Sequence, residues 1–449
     1  IEDYSYEGSF YYFDTIWQRW RSGFGKIEKS MAGNRKEKYY FHQGNGDNYP
    51  FEINDQPQKR GKLYYWEVWD NNTPLRGNLN VWQSTEGPIK HYLLLSVKDF
   101  IFYFDNSYPN PSTSILLSKT YNSLTGNLTQ SVDWGAVTYQ NRHEFTDLRP
   151  DDNRFEYFTY ALDKSNELRA AVSSRKVMNS SNQILLQENF EYDNLVFGQV
   201  SKGLLSKHSL LNSNNIWITE SFSYNAYGLN SKFTDYNGNV HTYLYDSYNY
   251  FPAKITNPLG HIQENKYNYN CGILSEQKLA NGGIEFDLYD GFCRLKQKGR
   301  KYSNQTEIIQ ELVYDQNFPM SVYQKDYLSA GVYGESRTYY DGLGRTILKF
   351  KKQDQNLWSG IAFQYNDRGY LFKQSLPFAS GQGLWPAGSV SGWEVYNYDA
   401  LNRLVSWSNE QENVSIAYSS FDKRSLYLNG QLWGNYQFDT RNNLVKITL

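Results

Sequence analysis

The chain has 449 residues, and 45 lysines and arginines nearly balance 47 aspartates and glutamates, which gives a formal net charge of -2. That balance argues against nucleic acid as the main partner, because a protein that binds phosphates usually shows a basic stripe. Aromatic residues make up 17% of the chain, and aromatic side chains favour strands. Apolar runs are strand-sized and none approaches 18 residues, so we expect no transmembrane segment. The composition predicts a nearly all-β protein.

In chain order, the sequence divides into two predicted domains. The first covers residues 1–115 and shows no clear repeat, but polar turns separate strand-like runs such as residues 62–69 and 100–104. Residues 109–114 are rich in proline and serine, which indicates a loop. The second covers residues 116–449 and is repetitive, most clearly from residue 190 onward.

The repeat of the second domain is an aromatic-Asp pair, two variable residues, a Gly or Asn, and often an Arg. The clearest copies read YYDGLGR at 339–345, YDALNR at 398–403 and YDGFCR at 289–294. Successive copies lie about 20 to 33 residues apart, and self-similarity at such a spacing indicates a repeat architecture. Eleven copies start at Tyr192, Tyr224, Tyr245, Tyr269, Tyr289, Tyr314, Tyr340, Tyr365, Tyr398, Tyr418 and Phe438.

Each copy has the pattern of a β-hairpin. An apolar or aromatic residue usually stands two positions before the repeat aromatic, so both side chains point to one face of a strand. Asp accepts hydrogen bonds from backbone amides in turns, and Gly or Asn tolerates a positive φ. Since eleven equivalent sites cannot all be catalytic, we assign the aspartates of the motif to turns. The structural repeat motif comprises Tyr192, Asp193, Tyr245, Asp246, Tyr289, Asp290, Arg294, Tyr314, Asp315, Tyr340, Asp341, Gly344, Arg345, Tyr365, Tyr398, Asp399, Arg403, Phe438 and Asp439.

These repeats resemble the YD repeats of the Rhs and toxin-complex proteins, over essentially the whole chain. Three segments narrow the resemblance to the toxin-complex B component and its plasmid-virulence relatives. They are Tyr192-Asp193 followed by residues 198–203, residues 375–378 with a long loop before Trp393, and residues 21–28 followed by 40–44.

The resemblance implies a long curved sheet of tandem hairpins that spirals into the wall of a hollow shell. In such proteins the shell encapsulates a toxin or effector polypeptide, supplied by the same chain or by a C-component partner, before delivery through a channel or secretion apparatus. We therefore expect a secreted structural protein and not an enzyme. No segment matches the aspartate-bearing closing segment that cleaves off the cargo in these relatives. We expect the sequence to be a fragment of a longer polypeptide.

The two cysteines, Cys271 and Cys293, lie near the tips of successive hairpins. Equivalent positions on neighbouring hairpins are two strands apart, roughly 9 to 10 Å, whereas a disulfide needs Cα atoms within about 7 Å. The spacing therefore favours two unpaired thiols, and a disulfide made possible by distorted loops stays open.

No other residues indicate catalysis, metal binding or a cofactor. The six histidines lack HxH, HxxxH and HExxH spacing, and His42 is better explained as a structural residue. Two alternatives remain: a surface adhesion or carbohydrate-binding array, which would expose clusters of Tyr and Trp, and a β-rich enzyme acting on polysaccharide, which would need paired carboxylates in a cleft.

Overall fold

A computed structural model gives the fold of the chain. It describes residues 2–9, 11–15, 18–21, 23–43, 49–51, 57–86, 92–104, 108–163, 170–303, 305–329, 331–385, 390, 392–420 and 422–449. Ser22 and Gly44, which belong to segments that carry the family resemblance, lie outside the described residues, as does part of the predicted loop at 381–389.

The described residues form mainly strands, with one short 3-10 helix at Pro57–Lys59. The predicted all-β fold class is confirmed: among the described residues, 34 strands belong to one long antiparallel sheet. Most strands pair with the next strand of the chain, as expected of tandem hairpins. Two small separate pairs are β2 with β3 and β13 with β16.

The strands of the first half are β1 Asp3–Glu7, β2 Tyr11–Thr15, β3 Gln18–Arg21, β4 Lys26–Ser30, β5 Arg35–Phe41, β6 Leu63–Asp70, β7 Thr73–Glu86, β8 Tyr92–Tyr103, β9 Thr113–Tyr121, β10 Leu128–Tyr139, β11 Phe145–Asp147, β12 Arg154–Tyr160, β13 Leu162–Asp163, β14 Val172–Asn179, β15 Ile184–Tyr192, β16 Gln199–Val200, β17 Leu205–Leu211 and β18 Trp217–Tyr224.

The remaining strands are β19 Asn230–Thr234, β20 Val240–Tyr245, β21 Pro252–Thr256, β22 Ile262–Asn268, β23 Ile273–Lys278, β24 Ile284–Tyr289, β25 Leu295–Tyr302, β26 Gln305–Asp315, β27 Met320–Ser329, β28 Val332–Tyr340, β29 Thr346–Asp354, β30 Leu357–Tyr365, β31 Leu371–Ser375, β32 Phe378–Ser380, β33 Trp393–Tyr398, β34 Leu404–Ser408, β35 Asn413–Tyr418, β36 Lys423–Leu428, β37 Gln431–Phe438 and β38 Leu444–Thr448.

Contacts divide the chain into two compact units. Unit 1 comprises residues 1–218, 397–407 and 412–449, and unit 2 comprises residues 219–396 and 408–411. Unit 1 contains the larger hydrophobic core, in which the long strands β6 to β9 bury Tyr64, Tyr65, Phe100, Phe102 and Leu116. The predicted domain boundary at residue 115 stays a prediction.

Unit 2 is built from short hairpins and buries few side chains. Its compact apolar cluster consists of Tyr339, Leu348, Phe350 and Trp358. Gly360 pairs with Phe350 across the sheet, and a Cβ atom there would lie only 2.5 Å from that ring. Most other strand residues are half-buried or exposed on both faces, so the sheet of unit 2 is mainly a single layer.

The preference for two unpaired thiols is wrong, because Cys271 and Cys293 form a disulfide with their Cα atoms 5.6 Å apart. We had applied the spacing between strands to two residues near hairpin tips. Both lie in turns that follow β22 and β24, and Cys293 adopts a left-handed backbone (φ 60°). Turn residues leave the strand direction, so their separation need not follow the spacing between strands.

Candidate functional site

The repeat residues come together at the ends of the strands, where each aspartate organises a tight turn. Asp341 follows β28, and its Oδ1 accepts hydrogen bonds from the amides of Leu343 and Arg345, both at 2.9 Å. Between them Gly344 has a φ of 77°. The same pair of amide bonds, to the second and fourth residues beyond, is made by Asp246, Asp290, Asp399 and Asp439.

The arginine that ends the motif joins its own turn to the next repeat. Arg345 Nε donates to Asp341 Oδ2 at 2.7 Å, and its guanidinium lies 4.6 Å from the ring centroid of Tyr365 in the following repeat. We call this arrangement the Asp-Arg-Tyr clasp. It recurs in Asp290-Arg294-Tyr314 and Asp399-Arg403-Tyr418, with ring distances of 4.1 and 4.0 Å.

The tyrosine hydroxyl makes a second connection between strands. Tyr365 donates to the carbonyl of Thr346, the first residue of β29, at 2.8 Å. Burial raises the pKa of Tyr365, so the hydroxyl stays protonated and donates at neutral pH. The equivalent bonds run from Tyr192 to Val172, Tyr245 to Asn230, Tyr289 to Leu274, Tyr314 to Leu295 and Tyr418 to Leu404.

Asp315 and Phe438 differ from this pattern. Asp315 accepts hydrogen bonds from the amide and the side chain of Asn317. Phe438 has no hydroxyl, but Arg424 lies 4.1 Å from its ring centroid. Tyr340 and Tyr398 end β28 and β33 next to their aspartates. The clasp therefore describes some repeats fully and others in part.

Asp193 has a different arrangement that the repeat pattern did not reveal. Its Oδ2 accepts the amides of Ser201, Lys202 and Gly203 at 2.8, 2.8 and 3.0 Å, and its Oδ1 accepts the amide of Leu204 at 3.0 Å. Burial alone would raise the pKa of Asp193, but the four amide bonds outweigh it and lower the pKa. One carboxylate thus closes the whole loop between β15 and β17.

The turns at the opposite ends of the hairpins were not predicted from the sequence. They use the same two amide bonds, but the acceptor is usually asparagine, as in Asn179, Asn212 and Asn257, with Asp235 as the aspartate example. An Asn or Asp three residues before a Gly or Asn was the available signal. In the repeat predicted at Tyr269, Asn268 makes the turn, so the motif there begins two residues earlier.

Replacing Gly344 with alanine tests the left-handed turn position. We expect the free energy of unfolding to fall by about 1 kcal/mol, because a side chain disfavours this backbone conformation. Gly342 provides the matched control, since it lies two residues away, lacks a positive φ and has open space around its Cβ position. Urea denaturation of both variants measures the difference, and equal stability of the two would contradict the assignment.

The described residues bring together no group of three or more His, Cys, Asp or Glu that could hold a metal ion. The most buried carboxylate is Glu67, whose oxygens accept the hydroxyls of Tyr40 and Tyr65 at 2.8 and 3.0 Å. His42 is also fully buried, with its ring 4.7 Å from that of Tyr64. Both side chains lie inside unit 1 and out of reach of a substrate, so their contacts stabilise the core.

Exposed aromatic residues, which the adhesion alternative requires, do occur at the hairpin tips of unit 2. Tyr248 lies 6.1 Å from Tyr250 and 5.6 Å from Tyr269 between ring centroids, and all three are more than half exposed.

The described part of the chain contains no helix with the length and apolar character needed to cross a membrane.

Comparison with known proteins shows which solved structures have a similar fold. No protein-family model matches the sequence, and no curated protein matches it either. Among solved structures, the complex of TcdB2 with TccC3 is similar over 99% of this chain, with a TM-score of 0.75 and 9% sequence identity. The Photorhabdus luminescens Tc holotoxin pore is similar over the same share, with a TM-score of 0.72 and 9% identity.

The fold is therefore that of the TcdB2–TccC3 and Tc holotoxin structures, and the predicted resemblance is confirmed at the level of the fold. A further complex, of TcdB2 with TccC3 and TEV, has a TM-score of 0.75, 10% identity and the same 99% coverage. This chain spans about a third of the length of the solved chains it matches: 32%, 34% and 35% in the three structures.

Proposed function

We propose that this chain forms part of the wall of a toxin-complex-type shell, which encapsulates a toxin or effector polypeptide before delivery. The observation that carries the proposal is the similarity to the TcdB2–TccC3 complex across 99% of the chain at a TM-score of 0.75. Because the chain spans about a third of its structural neighbours, it would supply a section of the wall.

The local chemistry of the repeats supports a structural role. In a single-layer wall each hairpin has few neighbours above or below, so stability must come from contacts along the sheet. The Asp-Arg-Tyr clasps and the tyrosine hydroxyl bonds are contacts of that kind, because each joins one repeat to the next. This role needs no cofactor and no catalytic residue.

The similar solved structures also suggest which partners this protein has. The solved complexes contain TcdB2 with TccC3, and one is a holotoxin pore. By analogy, the cargo of this protein would be a polypeptide of the same chain or of a separate C-component. A channel or secretion apparatus would deliver the cargo, and the protein would act outside the producing cell.

Protease protection tests the proposal. The complete gene product that contains residues 1–449 is expressed with a toxin component of the TccC type and treated with trypsin. We expect the cargo to survive conditions under which the same cargo, expressed alone, is digested. After the shell is opened with urea, digestion should proceed. A cargo that is cut equally fast with and without the shell would overturn the proposal.

A further inference from the structure

A cavity of about 960 Å³ opens in unit 1 beside the long strands β7, β8 and β9. The turn at 140–143, which follows β10, forms another of its sides. We propose that this cavity binds an acidic oligosaccharide, a ligand class that the encapsulation role does not involve. Its volume is at the upper end of the range of small-molecule sites, which is about 300 to 1,000 Å³.

The charged side chains in the described cavity wall are all basic. Lys59, Lys98, Lys119 and Arg142 line it, and its described lining contains no aspartate or glutamate. This is unusual in a chain whose acidic residues outnumber its basic ones. Lys119 forms an ion pair with Asp99, which leaves the wall with a net positive charge. A concave site lined by one sign of charge concentrates ligands of the opposite sign.

The basic groups are held in place by the fold. Lys98 Nζ donates to the carbonyls of Arg142 and His143, at 3.2 and 2.9 Å, and so fixes the turn against β8. Burial lowers the pKa of Lys98, which indicates that the base of the cavity is poorly solvated. Electrostatic attraction for an anion is stronger in such a site than on an open surface.

The other wall residues favour a carbohydrate among anionic ligands. Thr120, Ser123 and Trp82 also line the cavity. The Trp82 Nε1 donates to the carbonyl of Leu63 at 2.9 Å, which fixes the ring. Sugars bind through hydroxyl contacts and by stacking on aromatic rings. Neither the helix N-terminus nor the glycine-rich loop typical of phosphate sites occurs in the described lining.

Isothermal titration calorimetry with a heparin-derived hexasaccharide tests the site. We expect saturable binding to the full protein that weakens steeply between about 50 and 500 mM salt, since screening reduces attraction between charges. An uncharged dextran oligosaccharide of equal length should not bind. Absence of hexasaccharide binding, or equally tight binding of a single-stranded oligonucleotide, would overturn the proposal.

Two charge-matched variants locate the binding. Gln83→Glu adds a carboxylate to an exposed position in the cavity wall and should weaken hexasaccharide binding at least tenfold. Ser181→Glu adds the same charge at an exposed turn of unit 1, between β14 and β15, and should leave binding unchanged. Circular dichroism checks that both variants fold. Equal affinities of the two variants would contradict the site. Because cargo protection is measured separately, failure here leaves the encapsulation proposal standing.

Discussion

Replacing Glu67 with alanine is expected to lower the free energy of unfolding of unit 1 by about 3 to 5 kcal/mol. Glu67 is fully buried in β6, and its two oxygens accept hydrogen bonds from the hydroxyls of Tyr40 and Tyr65. The Nζ of Lys38 lies 3.9 Å from Oε1 of Glu67. Truncation would therefore leave two buried hydroxyls without this acceptor and create a cavity, and both effects are costly.

The tyrosines act as donors over the whole neutral range. Burial, and then the negative charge of Glu67, raise the pKa of Tyr40 and of Tyr65 well above the ordinary value. Both hydroxyls therefore stay protonated, and their bonds to Glu67 should not vary between about pH 6 and 9. The free energy of unfolding that the alanine variant loses should therefore be the same at every pH in that range.

Glu67→Gln is the matched control. Glutamine keeps the volume and one acceptor oxygen, and a tyrosine oxygen can accept from its amide group. We expect a loss of about 1 to 2 kcal/mol, in the range of one weakened buried hydrogen bond. Hydrogen exchange of the β6 amides measures the free energy of unfolding of both variants. If alanine and glutamine cost the same, the two tyrosine bonds do not stabilise the core as argued.

The hairpin array could be predicted because its signals are local. Residue alternation sets the strands, and the spacing of Asp341 and Gly344 specifies a turn with a left-handed residue at a fixed place. Such features depend on neighbours a few residues away. The same logic applies to the opposite turns at Asn212 and Asn257, which were missed because the repeat was defined by an aromatic residue before the Asp or Asn, and these two turns have none there.

Contacts between repeats could not be predicted in the same way. The ring of Tyr365 beneath Arg345, and the disulfide of Cys271 with Cys293, depend on how neighbouring turns bend away from the strands. Glu67 was not singled out either, since residues 62–69 indicate a strand without showing which of its faces is buried. Sequence periodicity specifies a strand, whereas burial depends on what the rest of the fold places against it.

Asp193→Asn is expected to open the loop between β15 and β17 and to speed tryptic cleavage after Lys202 roughly 30-fold. The factor corresponds to about 2 kcal/mol, a typical loss when hydrogen bonds to a charged group are removed. Asparagine has one acceptor oxygen, whereas the Asp193 carboxylate accepts four amides through both oxygens. Cleavage is followed by mass spectrometry under conditions in which loop opening is faster than cutting.

Asp235→Asn is the control for this loop. Asp235 accepts the amides of Asn237 and Asn239, a task that asparagine performs at Asn212 and Asn257. We therefore expect little change in stability and none in cleavage after Lys202. A similar rate of cleavage in the Asp193 and Asp235 variants would show that the four amide bonds do not hold the loop.

The same carboxylate gives the loop a defined sensitivity to acid. The folded pKa of Asp193 is lowered, so its stabilising contribution is complete above the unfolded value of about 3.9 and is lost as pH falls through the folded value. Hydrogen exchange in residues 194–204, corrected for the intrinsic rate, should be constant from about pH 7 to 5 and should rise below about 4. In Asp193→Asn the exchange should be fast at every pH, because that side chain does not titrate. Acid sensitivity that persisted in the variant would assign the effect to another carboxylate.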